Sequence, residues 1–238
     1  MSDGSPFLSK VVGRKTAEAL NRRRMAILLA TLVLLVLASP VAEMTSQALL
    51  IVVGATLVFL LSCLQQVDAH PRLRAPTRLI VLLWLALNLL LPWSAPTLGL
   101  AAAAMGLAAA ALAVLNLIVL WLVAQHLIHA DHVDSELLCG AVGAYLLFGV
   151  FWAGTYEIIS LVAPAAFAAP GGAAPTQSAL LYFSFTTLTT AGYGDITAIN
   201  PIVRMWSIFE AIIGTMYIAT VIARLVSLYG SRVGHEDR

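Results

Sequence analysis

Long apolar runs broken by short polar connections set the pattern of this chain. A helix that crosses a bilayer needs about 20 apolar residues, and runs of that kind fall near residues 25–42, 47–65, 79–95, 98–124, 137–162 and 203–227. The pattern predicts an all-α membrane protein with six spanning helices. Arg78 and Pro92 bracket a short third run, which either continues through Pro92 or crosses with little tilt. The fourth carries two alanine tracts, Ala101–Ala104 and Ala108–Ala111, and small residues let helices approach closely in lipid. Between the fifth and sixth runs, Ala163–Pro175 reads as an outer loop. Thr176–Leu188 is a moderately apolar, Thr-rich segment, only about 20 Å long as a helix, so it enters the membrane partway. Such a re-entrant helix needs protein or water around its end.

Composition agrees with the pattern. Hydrophobic residues make up 61% of the chain and charged residues 11%, against about 25% charged in an ordinary soluble domain. Between Arg78 and Asp131 there is no Asp, Glu, Lys or Arg at all. Loop charge then orients the spans, because Lys and Arg gather on the cytoplasmic side. Lys10, Arg14, Lys15 and Arg22–Arg24 precede the first run, Arg72, Arg74 and Arg78 join the second to the third, and Arg224, Arg232 and Arg238 lie in or after the sixth. The connections around Glu43–Gln47 and Ser94–Thr97 hold neither Lys nor Arg. With six crossings, both termini are cytoplasmic and the chain sits in a cell membrane. The net charge of +1 gives no reason to expect a nucleic-acid partner. Cys63 and Cys139 lie in or beside apolar segments and read as small hydrophobes, with no disulfide. The apolar run ending in Ala38-Ser39-Pro40 imitates a secretory signal, but it is long enough to remain as an anchor.

Directly after the re-entrant segment stands Thr189-Thr190-Ala191-Gly192-Tyr193-Gly194-Asp195. This motif resembles the selectivity filter of the tetrameric potassium channel family, usually written T-T-V-G-Y-G-D, and in particular its bacterial branch. The resemblance covers about Leu137–Tyr229. It implies that backbone carbonyls of an extended strand replace the hydration shell of K⁺ ions, with Thr190, Ala191, Gly192, Tyr193 and Gly194 as the ion-binding stretch. Glycine tolerates the positive φ that such a strand demands, which accounts for Gly192 and Gly194. Tyr193 is expected to point away from the axis, against Tyr182 or Phe183. Four strands make one pore, so a homotetramer in the lipid bilayer is implied, with K⁺ as the sole ligand and no organic cofactor.

Carried over residue by residue, the resemblance makes the sixth run the pore-lining inner helix. Gly214 follows Gly192 by 22 positions, like the family's inner-helix hinge. Thr215, Ile218 and Ile222, spaced by three and four, share one helix face and would line the cavity. The apolar ring near Ile222 and Val226 is a candidate gate that closes by dewetting. Thr189, Thr186, Asp195 and Glu210 are expected to support the filter. Ala191 departs from the family's valine; the carbonyl remains while packing behind it is reduced, so a less rigid filter is expected. Glu210 lies inside an apolar span, where an unpaired charge costs at least ~2.5 kcal/mol, so it needs a partner or a proton. Thr186 or Thr187 is the expected partner, with a proton-sensitive gating role as the alternative. Asp195 faces the outer mouth and concentrates cations there, and Arg204 is positioned to pair with it or with another acid.

Relatives with six crossings often carry a voltage sensor, an Arg or Lys at every third position of the fourth span. Leu98–Gln125 carries none, so weak voltage dependence is expected. The connection holding His126, His129, Asp131, His132, Asp134 and Glu136 has metal- and proton-binding side chains; the preferred reading is a solvated polar loop, since spacing alone does not converge the rings on a metal. The expected organisation is a basic segment 1–24, a four-helix module 25–130, a linker 131–136, a pore domain 137–229 and a tail 230–238. No catalytic constellation is present, so no enzymatic activity is expected. A secondary transporter and a non-conducting membrane scaffold are the competing classes, although no internal repeat of the transporter kind is visible.

Overall fold

The computed structural model describes residues 23–43, 48–68, 70–94, 98–172 and 174–236. Lys10, Arg14, Lys15 and Arg22 of the basic segment, the connections at 44–47 and 95–97, and the last two residues lie outside the described residues. Six long helices follow in order: α1 Arg24–Ala38, α2 Ala48–Val67, α3 Pro71–Ser94, α4 Leu98–Ile128, α5 Ser135–Val162 and, after a short α6 at Gln177–Leu188, α7 Pro201–Glu236. Four described spans are long and apolar enough to cross a membrane: Arg24–Val41, Ala103–Ile128, Ser135–Val162 and Pro201–Leu228. Val53–Val67 is a shorter apolar helix.

Several boundaries move from their sequence positions. α3 runs from Pro71 past Pro92 to Ser94, so Arg72, Arg74 and Arg78 belong to its first turns and not to a loop. Pro71 opens that helix at the position where a missing N–H costs nothing. α4 continues to Ile128, which takes His126 into the helix. α5 starts at Ser135 because Asp134 caps it, its Oδ1 accepting from the Leu137 N–H at 2.8 Å. α7 opens on Asn200-Pro201, where Asn200 Oδ1 accepts from Ile202 N–H at 2.8 Å, and it runs unbroken to Glu236. The tail is therefore largely a continuation of the helix.

The chain forms two compact units. One takes in the described residues up to Leu79 together with Val119–Leu146. Here α1 packs on α2, with Leu28, Leu32, Phe59, Leu60, Cys63 and Val67 buried. In lipid such helices gain little from the hydrophobic effect and associate by packing and by polar contacts. The polar contacts are specific: Thr31 and Ser62 share a hydrogen bond at 3.0 Å, and Gln66 Nε2 donates to the Arg24 carbonyl at 2.9 Å. No side chain next to α1 caps its first turn. That role falls to Glu136, whose Oε2 accepts from the Met25 N–H at 2.9 Å.

The other unit takes in Ile80–Ile118 and the chain from Leu147 onward. Its core is aromatic: Trp152, Tyr156, Phe167 and Phe183 are buried with Leu180, Ile196 and Val203. Tyr156 meets Phe183 and Phe167 edge to face at centroid distances of 5.2 and 5.8 Å, the geometry that ring quadrupoles favour. The loop before α6 carries two residues of strand, β1 Phe167–Ala168, paired antiparallel with β2 Thr197–Ala198 beyond the motif. Ala166 extends this brace, accepting from Ile199 N–H at 2.8 Å and Asn200 N–H at 3.2 Å.

Candidate functional site

The site is built on the last turn of α6. Thr176 caps the start of this helix, its hydroxyl accepting from Ala179 N–H at 3.2 Å. At the other end the final carbonyls have no partners within the helix, and the motif supplies them. Phe185 O accepts from Thr189 N–H at 3.0 Å and from the Thr189 hydroxyl at 2.7 Å; Thr187 O accepts from Thr190 N–H at 2.9 Å; Thr186 O accepts from Gly192 N–H at 3.0 Å. Thr189–Gly192 is thus folded back onto the carbonyl end of α6, where the helix dipole places partial negative charge.

Backbone hand alternates along the motif. Thr190, Gly192 and Gly194 have φ of 58°, 51° and 80°, whereas Ala191 and Tyr193 keep negative values. In a strand of uniform hand, successive residues face opposite sides; alternating the hand brings alternate carbonyls round toward one side. Glycine adopts these values freely. Thr190 is the exception, the one described non-glycine residue with positive φ. A threonine in that region costs of order 1–3 kcal/mol and persists only where its surroundings hold it. The hydrogen bonds of Thr189, Thr190 and Gly192 to α6 are such a hold.

Around this loop the side chains fall partly as the sequence suggested. The Tyr193 ring stacks on Tyr182 at 6.2 Å and 8°; Phe183, the other candidate neighbour, packs instead into the buried aromatic core. Asp195 lies near the Tyr182 hydroxyl. Arg204 does not pair with Asp195: its Nε donates to the Ala198 carbonyl at 3.1 Å, next to the β1–β2 brace. An open pocket of about 420 Å³ lies beside the motif, lined by Phe183, Thr186, Thr187, Gly192, Ser207 and Ile208 among others.

Glu210 is fully buried, and its partners correct the sequence expectation. Ser184 Oγ lies 2.6 Å from Glu210 Oε1, and the Tyr156 hydroxyl donates to Oε2 at 2.7 Å. Neither Thr186 nor Thr187 takes that part. The Thr186 hydroxyl donates to its own helix, to Phe183 O at 2.9 Å, and the residue's hold on the motif is through its carbonyl. Ser184 Oγ also lies 2.9 Å from the Gly149 carbonyl. One polar knot therefore ties α5, α6 and α7 together directly behind the motif. Burying these groups is tolerated because each has a partner.

Thr215, Ile218 and Ile222 lie on α7 and are all exposed within the chain. Gly214 is buried and sits in unbroken helix against Leu188. The histidine-rich connection does not converge: His129 Nδ1 lies 2.8 Å from the Gln125 carbonyl, and His132 lies 3.9 Å from Asp134. Among the described residues no group of three or more His, Cys, Asp or Glu is arranged to hold a metal ion. Asp134 and Glu136 serve helix starts instead.

Ser184, Tyr156 and Gly149 escaped the sequence reading. A serine or tyrosine in an apolar run is unremarkable on its own, and the acid at Glu210 was the one signal that polar partners were nearby. No curated protein and no solved structure matches the chain. Residues 144–230, from within α5 through the motif and into α7, match the family model described as "Ion channel", and this part of the chain is similar to that family.

Proposed function

We propose that the chain is one subunit of a tetrameric, potassium-selective channel that conducts K⁺ passively through a filter formed by Thr190–Gly194. The observation that carries this reading is the alternation of positive and negative φ along Thr190-Ala191-Gly192-Tyr193-Gly194, at the carbonyl end of a helix too short to span. Chemically, such a strand presents oxygen dipoles at close spacing, and four around an axis offer a dehydrated K⁺ a replacement for its water shell. The match of residues 144–230 to the ion channel family supports it.

The burial of α7 supports the assembly. Only 6% of an apolar 18-residue stretch of Pro201–Leu228 is buried within the chain, and Tyr193 is 73% exposed. An extended filter strand left uncovered at membrane depth would leave backbone polar groups without partners, which lipid does not tolerate. Other copies around a central axis would cover both. In that arrangement Thr215, Ile218 and Ile222 line the cavity below the filter, and the Glu210–Ser184–Tyr156 knot braces the filter from behind. The absence of Arg and Lys from Leu98–Gln125 goes with weak voltage dependence. The first four helices are proposed to cross the membrane with both termini cytoplasmic.

The test is K⁺ flux into liposomes holding the purified protein. Barium-sensitive K⁺ uptake that is not coupled to a second ion is expected. Uptake driven only by a co-transported ion would favour a transporter, and no uptake would favour a scaffold.

A further inference from the structure

A glycine inside a helix costs about 1 kcal/mol relative to alanine, so a helical glycine with no need for an unusual φ invites a steric explanation. The helical glycines of the described residues divide sharply on this point. A Cβ added to Gly54 or Gly143 meets nothing within 4 Å, and one added to Gly106, Gly140 or Gly154 makes ordinary contacts at 3.6–3.9 Å. Gly149 and Gly214 are different. A Cβ on Gly149 of α5 lies 2.6 Å from Cε1 and Cζ of Phe185, and a Cβ on Gly214 of α7 runs into the Leu188 carbonyl oxygen, with Leu188 Cδ1 at 3.0 Å. Both obstructions belong to the last turn of α6, at positions three apart. That turn leads straight into Thr189–Asp195.

We infer that Gly149 and Gly214 form a two-sided seat whose close approach sets the depth of the C-terminal end of α6, making both of them positioning residues for the filter. The inference rests on the channel reading above. It gives Gly214 a role at the contact with α6, whereas the family resemblance suggested a hinge. Three observations belong together here. Ser184, one residue before Phe185, is fixed to the Gly149 carbonyl and to Glu210. The carbonyls of Phe185, Thr186 and Thr187 are taken up by the motif's own N–H groups. Leu188 O, the next in line, faces Gly214. Displacing this turn therefore displaces Thr190 and Gly192, whose N–H groups hang from it.

The two sides of the seat differ in hardness. The obstruction at Gly149 is the far edge of a ring that can swing aside, whereas at Gly214 it is backbone, which moves only with the helix end. Gly214→Ala is thus expected to raise the Na⁺/K⁺ permeability ratio by about tenfold or more, the scale of overpacking a closed site. Gly149→Ala should raise it less. Phe185→Leu removes the outer ring atoms and should rescue Gly149→Ala. Leu188→Ala leaves the carbonyl in place and should not rescue Gly214→Ala. Gly143→Ala, on the same helix as Gly149 but in open space, should match wild type.

Permeability ratios from bi-ionic reversal potentials of these variants test the seat. If Gly214→Ala does not assemble, the Gly149→Ala and Gly149→Ala/Phe185→Leu pair carries the test. Wild-type ratios in Gly214→Ala and Gly149→Ala, with only open probability changed, overturn the seat in favour of a hinge. Wild-type protein that passes no K⁺ overturns the channel reading itself.

Discussion

Two apolar helical spans of this protein have the same length and hydropathy and opposite surroundings. Ser135–Val162 of α5 and Pro201–Leu228 of α7 are both 28-residue spans of hydropathy 1.8, yet 56% of an apolar 18-residue stretch in the first and 6% of one in the second is buried within the chain. α5 is held along its length: Asp134 caps it, Glu136 reaches the start of α1, Gly149 O and Tyr156 join the polar knot, and Trp152 lies in the aromatic core. α7 touches the rest through a few residues, Val203, Glu210 and Gly214 among them, and leaves Ile208, Phe209, Ile212, Met216, Ile218 and Ile222 exposed. Hydropathy reports what an environment must exclude, namely water, and cannot separate lipid from protein as the cover. The difference between the helices is what makes α7 the face on which other copies are proposed to assemble.

The largest effect is expected just before α7. Gly194→Ala places a Cβ at φ 80°, which costs roughly 1–2 kcal/mol per residue and is repeated in every copy of a filter. Selective K⁺ flux should be lost. Retained selectivity would remove the alternating strand from the account.

Next comes a direct contrast of the two helices. Phe209 on α7 and Val142 on α5 are 57% and 52% exposed within the chain. If copies cover α7, Phe209→Ala removes packing of the kind worth about 3–5 kcal/mol in a core, and the purified complex should dissociate in detergent more readily than wild type. Val142→Ala should not change its mass. Equal behaviour of the two variants would dissolve the contrast.

How much of this was legible beforehand follows from what each feature needs. The long apolar helices and the short α6 could be read because apolar length is a property of the chain itself. The positive φ of Gly192 and Gly194 could be read because glycine at set positions reports backbone conformation; that of Thr190 could not, since threonine gives no sign of it. The partners of Glu210 were misassigned to Thr186 or Thr187 because α6 presents Ser184, not those residues, to α7. Rotation of one helix against another is fixed by packing, which spacing does not record. The β1–β2 brace was invisible for a similar reason, since two-residue strands have no pattern. The linker acids were read as solvated, and their capping roles at Asp134 and Glu136 needed coordinates.

A smaller effect should appear where α5 and α7 meet. Tyr156→Phe keeps the ring and removes one hydrogen bond to a buried carboxyl, a loss of about 1–3 kcal/mol, seen as a lower thermal midpoint of the assembled protein. An unchanged midpoint would show that the knot does not brace the three helices. The smallest effect belongs to the well-held end of α5. Glu136→Gln removes charge from the start of α1, worth about 0.3–1 kcal/mol and screened by salt. Wild-type and variant stability should converge as salt rises, and a difference that persists at high salt would mean the contact is not electrostatic.

The central claim is that backbone oxygens of Thr190–Gly194 stand in for water around K⁺. The reversal potential of the purified protein in a planar bilayer, with K⁺ on one side and Na⁺ on the other, measures it most directly. The account predicts a potential close to the K⁺ equilibrium value. A potential near zero, with Na⁺ passing as readily as K⁺, would contradict it.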